Sequence, residues 1–217
     1  MYIKWIICTV LDNKKEEFSK AQEKWSKTSE SDGFIAQTGG WNLKKPNEVC
    51  IIAFWKNKES LQNFMNHLHD VIFLDNQQIT TYADIQIKYF NSLLNMDGTS
   101  KNIGEAIQKS NFIRIADYLV NENKIHHFEE AQKSIWIPSM KKTKGMLGGK
   151  FSINEQNKNN YLVSTFWDSK KNHQNYIENQ LPTNQKLANI SSDLQAIDGK
   201  IIALEKKWNV FKTPTSF

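Results

Sequence analysis

Two stretches of the chain decide its fold: AFWKNKESLQNFMNHLHD, Ala53–Asp70, and TFWDSKKNHQNYIENQL, Thr165–Leu181. Each passes from an apolar run ending in Phe-Trp, through a short polar segment, into a helix pattern. Phe54-Trp55 falls on Phe166-Trp167 at an offset of 112, as do Gly33 on Gly145, Phe34 on Met146 and Phe64-Met65 on Tyr176-Ile177. Upstream the offset is 110: Ile3, Trp5 and Val10 fall on Ile113, Ile115 and Val120, and Phe18, Ala21 and Gln22 on Phe128, Ala131 and Gln132. Similar residues at constant spacing, broken by one small insertion, mark an internal duplication.

Each copy has one order of elements. In the first, YIKWIICTVL reads as a strand, and DNKKEEFSKAQEKWSK as a helix with Asp12 or Asn13 as N-cap. GFIAQTGGW and EVCIIAFW are the second and third strands, with Gly39-Gly40 expected to bend or bulge the second. Asn57 caps a second helix whose apolar stripe is Leu61, Phe64, Met65, Leu68 and Ile72, and DIQIKYFNSLL is the last strand. The second copy repeats the order, with Pro182 ending its second helix and KIIALEKKWNVF as its final strand. The expected division is a first repeat over residues 1–94, a linker over 95–110 and a second repeat over 111–217. The order β-α-β-β-α-β is the ferredoxin-like unit.

A half-wet antiparallel sheet alternates apolar and polar residues. These strands do not: Val49 to Trp55 is apolar without a break, and so is Trp5 to Cys8. Both sheet faces are therefore covered. Helices cover one face, and the large side chains on the other are each worth roughly 1.5–3 kcal/mol when buried. The second copy is the expected cover. The fold class is thus α+β, tandem ferredoxin-like βαββαβ repeats packed sheet to sheet as an intramolecular dimeric α+β barrel: an internal pseudo-dimer, monomeric or weakly self-associating.

Composition narrows the partners. The formal charge is +5, but it comes from 27 Lys and a single Arg, Arg114, spread among acidic residues. Nucleic-acid surfaces cluster charge and favour Arg, so none is expected. The β-α-β-β-α-β order also occurs in RNA-recognition motifs, but EVCIIAFW lacks their basic-Gly-aromatic signature. Cys8 and Cys50 sit in apolar runs without metal spacing and read as buried thiols in a reducing cytosol. No metal and no cofactor are expected. The N-terminus reads as a strand rather than an export signal, and no run approaches the roughly 18 apolar residues of a membrane span. A cytoplasmic protein without membrane contact is the expectation.

The pattern resembles the dimeric α+β-barrel superfamily that includes antibiotic-biosynthesis-monooxygenase-like proteins. NHLHDVIF, Asn66–Phe73, is the most specific local match: His67, Leu68 and Phe73 fit a His-Leu motif of those relatives, and Ile72 replaces their second His. IKW, GGW and FW are also similar to a Bacillus-type domain-of-unknown-function family of the same barrel class. The haem-degrading branch uses an Asn on the first strand and a Trp and His on the second helix. Here those positions fall near Trp5 or Ile6, at Phe64 or Tyr176, and near Leu74 or Lys186, so haem degradation by that set is not implied.

Candidate chemistry is sparse. On a regular helix at about 100° per residue, His67 and His69 lie roughly 160° apart and cannot grip one metal. His67 is the expected proton-transfer residue, since a lone His titrates near neutrality. Trp5, Trp55 and Phe64 are the expected ligand walls. Lys4 and Arg114, at equivalent first-strand positions, are candidates to hold an anionic group. Asp117 is a polar oddity in an apolar strand and needs a partner. The resemblance implies that a cleft of the first repeat binds or oxidises a small hydrophobic molecule, monooxygenase-like and without a cofactor. The alternative is a non-catalytic binding or structural protein with a barrel filled by side chains.

Overall fold

A computed structural model of the protein describes residues 1–213. The chain divides into two compact units, one formed by Met1–Tyr89 with the segment that begins at Ile202, the other by Phe90–Ile201. These bounds differ from a split at 94 and 111. The strand expected to close the first repeat runs on from Tyr82 to Asp97, and its second half belongs to the second unit. The segment expected as a linker carries a capped helix, Ile103–Lys109, that buries Ile103, Ala106 and Ile107. Residues 214–217 of the expected second repeat lie outside the described residues.

In the first unit, β1 (Tyr2–Val10) is followed by α1 (Lys15–Glu23), β2 (Phe34–Asn42) and β3 (Glu48–Trp55). Then come α2 (Lys58–Phe64), a π-helical turn (Met65–His69), α3 (Asp70–Asn76) and the start of β4 (Tyr82–Asp97). The strands are ordered β4-β1-β3-β2, the ferredoxin-like arrangement. β1 and β3 pair antiparallel from Tyr2↔Trp55 to Thr9↔Glu48. β2 also pairs with the end of the last long strand at Gly40↔Leu204 and with Val210 at Gln37, so its outer edge is not left open.

Period two sorts the side chains. Tyr2, Ala53 and Trp55 pack with Leu61, Phe64 and Ile72 of the helices. Ile3, Trp5, Cys50, Ile52 and Phe54 alternate with them on the other face and are equally buried. Both faces are covered, as the unbroken apolar runs require.

Local details differ from the sequence reading in instructive ways. α1 begins only at Lys15, after a 3-10 turn closed by Lys14 N–H to Leu11 C=O at 2.8 Å, and no side chain caps it. Asn57 does cap α2, its side-chain oxygen accepting from Ser60 N–H at 2.9 Å. The irregularity in β2 falls at Ile35, not at Gly39-Gly40. Those glycines serve a close approach instead: a Cβ on Gly40 would lie 1.8 Å from the Ala203 carbonyl oxygen.

The second unit repeats the plan with β5 (Phe112–Val120), β6 (Met146–Asn154), β7 (Asn160–Trp167) and β8 (Leu194–Leu204), ordered β8-β5-β7-β6, and with the second half of β4 along the edge of β6. Its helices include the linker-region α4 (Ile103–Lys109), α5 (Ile125–Ala131), α6 (Ile137–Lys141), α7 (Lys170–Asn179) and α8 (Leu181–Ala188). Pro182 sits in the first turn of α8, where its missing N–H is harmless, rather than at the end of a helix. Asp117 finds its partner in the Asn160 amide, which donates to it and to the Tyr118 carbonyl.

Candidate functional site

A cavity of about 260 Å³ opens in the first unit between the inner sheet face and the helices. β1 supplies Lys4, Ile6 and Cys8 to its wall, and β3 supplies Ile51, Ala53 and Trp55. Both triplets have the period of two that a single sheet face demands. Gln37 comes from β2, Phe18 and Gln22 from α1, and Trp25 and Thr28 from the turn beyond it. Phe64, His69 and Phe73 come from α2, the π-helical turn and α3. Tyr82, Ile85 and Ile87 of β4 complete the wall, and the two isoleucines are exposed, so the cavity opens along that strand.

The π-helical turn explains which histidine arrives. A turn of π-helix takes more residues than one of α-helix and retards the phase of everything after it. His69 and Phe73, which trail the apolar stripe on a regular helix, are thereby rotated onto the cavity face with Phe64. His67 is left outside, exposed, its Nδ1 2.7 Å from the Asn63 carbonyl on its own helix. The His69 ring lies 5.8 Å from both Phe64 and Phe73 and 5.4 Å from Trp25.

The expected site residues are thus separated. Lys4, Trp55 and Phe64 meet at the cavity. Trp5 is buried on the opposite sheet face, because neighbours along a strand point to opposite sides. Arg114 belongs to the second unit, where Tyr118, His173 and Tyr176 are its electrostatic neighbours. Burial, and then the Arg114 charge, pushes His173 down to about 4. Burial pushes Tyr176 up to about 12. Both are neutral at pH 7.

Lys4 is the unusual group at the cavity. It is 7% exposed, its Nζ meets only the soft Met65 sulfur at 3.7 Å, and no carboxylate pairs with it among the described residues. Burial pulls it down from 10.5 to about 8. His69 is also lowered, by burial first and by the Lys4 charge, against the opposing hydrogen bond to Asp70. Its Nδ1 lies 2.8 Å from Asp70 Oδ1. With the Nδ1 proton donated to that carboxylate, a neutral imidazole presents Nε2 as an acceptor.

Part of the polar wall is internally satisfied. Trp25 Nε1 donates to Gln78 Oε1 at 2.7 Å, and Gln78 Nε2 donates to Gln22 Oε1 at 3.0 Å. Another part is not: the Gln37 amide nitrogen, the Thr28 hydroxyl and the Trp55 indole nitrogen are buried without a hydrogen-bond partner. Buried donors rarely stay unpaired. Three such groups and an unpaired ammonium around one apolar space form a set suited to acceptor oxygens.

Cys8 is no nucleophile. Burial, and secondarily the Asp84 charge, drives its thiol up to about 12, so no thiolate forms at neutral pH. Both cysteines are buried. Neither is expected to react with a thiol reagent in the folded protein at pH 8, and both should react once urea unfolds it. Fast labelling of the native protein would show that the first unit opens. Among the described residues no group of three or more His, Cys, Asp or Glu is placed to hold a metal, and no helix is long and apolar enough to cross a membrane.

Together, the two ferredoxin-like units and an apolar cavity with sparse polar groups in the first of them define an α+β protein of tandem ferredoxin-like fold. Solved structures share the fold over nearly the whole chain. A protein from Lactobacillus acidophilus NCFM provisionally named a monooxygenase matches with a TM-score of 0.74 at 14% identity, covering 97% of this chain and 96% of its own. A similarly named protein from Fusobacterium nucleatum subsp. nucleatum matches at 0.77 and 10% identity, covering 97% and 94%. An anthrone oxidase-like protein matches at 0.65 and 11% identity, covering 100% and 96%.

The sequence places the chain more closely. Residues 2–90 match the model of the family described as Domain of unknown function (DUF4937). The uncharacterized protein YdbC of Bacillus subtilis (strain 168) is 37% identical over 92 residues, 42% of this chain and 77% of that relative. The chain belongs to this family, and the matched residues take in Lys4, Trp55, Phe64 and His69.

Proposed function

We propose that the first unit binds a small, flat, apolar molecule carrying an acidic or carbonyl oxygen, and that it promotes loss of a proton from that molecule as the first step of its oxidation by dissolved dioxygen, which takes up the electrons without a bound cofactor. The observation that carries this reading is Lys4, a buried ammonium with no carboxylate partner on the wall of an otherwise apolar cavity. Lys4 holds the developing oxyanion, and the unpaired donors of Gln37, Thr28 and Trp55 are available to the same ligand. Neutral His69, held by Asp70, takes the proton through Nε2. His69 fills this role rather than His67, whose ring is tied to its own helix outside the cavity. A volume just under the usual range of about 300–1,000 Å³ for drug-sized ligands fits a molecule of a few fused rings.

Anthrone is a suitable probe. It is flat and apolar, and its conjugate base is an aromatic oxyanion. Its hydrocarbon counterpart anthracene lacks the oxygen. Titration followed by tryptophan fluorescence, with Trp25 and Trp55 on the cavity wall, is expected to show anthrone binding roughly 10–100-fold tighter than anthracene, the worth of a charge-assisted hydrogen bond. Lys4→Met is expected to erase that preference while leaving anthracene unaffected. His69→Ala is expected to leave anthrone affinity nearly unchanged and to lower oxygen consumption at least about tenfold. Equal binding of the two probes to the unmodified protein defeats the reading.

A further inference from the structure

We propose that Lys4 is also a nucleophilic amine, and that the cavity of the first unit captures small apolar aldehydes as an imine on its Nζ. This goes beyond the proposed binding of acidic molecules and uses the same cavity with the opposite protonation state of the lysine. Nζ is carried on the inner face of β1 into a space walled by Ile6, Ile51, Trp55, Phe64 and Phe73, with the residue 7% exposed overall. Its one polar neighbour among the described contacts is the Met65 thioether at 3.7 Å, which neither takes a proton nor stabilises a positive charge strongly. A lysine kept from water and from carboxylates is held in the setting that makes amines reactive toward carbonyl carbon.

The titratable groups that face it do not restore the charge. Cys8, on the same strand, is held protonated, and Tyr82 of β4 is raised by burial. His69, from the π-helical turn, is neutral, and its companion Asp70 is bonded to the imidazole. Burial lowers the amine to about 8, so a substantial fraction is unprotonated at mildly alkaline pH.

The chemistry balances without an oxidant. The Nζ lone pair attacks the aldehyde carbon and the carbonyl electron pair moves to oxygen, where a proton gives a carbinolamine. Nitrogen loses its extra proton to the neutral His69 imidazole. Return of a proton to the hydroxyl expels one water and leaves the carbon–nitrogen double bond. The walls suit an aromatic or long-chain aldehyde, and the exclusion of water favours the imine over its hydrolysis.

The test uses the full chain, cinnamaldehyde as the probe and cyanoborohydride to fix any imine, followed by intact mass and peptide mapping. At pH 7.5 the modification is expected at Lys4 at least about tenfold above the mean of the other 26 lysines, because a solvated lysine ordinarily keeps its proton at that pH. Its rate is expected to level off above about pH 8 while surface labelling goes on rising. Lys4→Met is expected to remove the fast adduct and leave the slow background. Labelling spread evenly over surface lysines, with Lys4 at or below their mean, overturns the proposal. The two proposals fail separately. Lys4-dependent preference for anthrone without a Lys4 adduct removes only the imine. A Lys4 adduct without that preference removes only the oxyanion reading.

Discussion

Lys4→Met is expected to make the protein more stable at pH 7, by about 3 kcal/mol. The lysine falls from 10.5 in the unfolded chain to about 8 in the folded one, and each unit of such a shift is about 1.4 kcal/mol. Burying the ammonium therefore costs stability, and Met fills a similar volume without a charge. The pH dependence follows from proton counting. Below pH 8 both states of the lysine carry the proton, so the penalty is fully present and flat. Between 8 and 10.5 the unfolded chain holds a proton that the folded one has released, and stability rises with pH. Above 10.5 the penalty is gone. The advantage of Lys4→Met is thus expected to be constant from pH 6 to 7.5 and to shrink toward zero by pH 10.5. Urea midpoints of the two proteins across that range measure it. A variant that is destabilised at pH 7 would mean that the ammonium has a partner whose loss matters more than its burial.

The second large effect concerns Gly40. In Gly40→Val the new Cβ lies 1.8 Å from the Ala203 carbonyl oxygen, 2.7 Å from its carbon and 2.9 Å from the Leu204 Cα. All three are backbone atoms in the paired segment Gly40↔Leu204, so no side chain can swing aside. The chain must break that pairing or shift a strand, at a cost of roughly 3 kcal/mol, the upper end for overpacking. Gly199→Ala is the matched control. Nothing lies within 4 Å of a Cβ there, and replacing a strand glycine is expected to gain roughly 0.5–1 kcal/mol. Thermal melts of the two variants should therefore move in opposite directions. A Gly40→Val protein within about 1 kcal/mol of the parent would deny the close approach.

The fold alone does not choose a function. The same architecture is found in an anthrone oxidase-like protein and, at a TM-score of 0.59 and 7% identity, in a major regulator of staphylococcal pathogenesis. Function resides in the site, and the feature that sets this site apart is one buried amine, Lys4. Its counterpart Arg114 sits among Tyr118, His173 and Tyr176, so the two copies have diverged where chemistry would occur while keeping the same aromatic scaffold.

Much of this was written in the residues. The duplication, the order of elements and the burial of both sheet faces follow from spacing and from unbroken apolar runs such as Val49–Trp55, because strand periodicity and hydrophobic burial act locally. Lys4, Trp55 and Phe64 were also legible as candidates. That Trp5 faces away from Lys4 was available too, since adjacent strand residues cannot share a face, although position alone invited grouping them. What only the tertiary structure decided was phase and continuity. No residue pattern in MNHLH announces a π-helical turn, yet that turn brings His69 to the cavity in place of His67. Nor does the sequence reveal that β4 runs on to Asp97, or that the last strand ends beside Gly40. Both depend on which backbone edges meet, and those pairings join residues far apart in the chain, where local propensity carries no information.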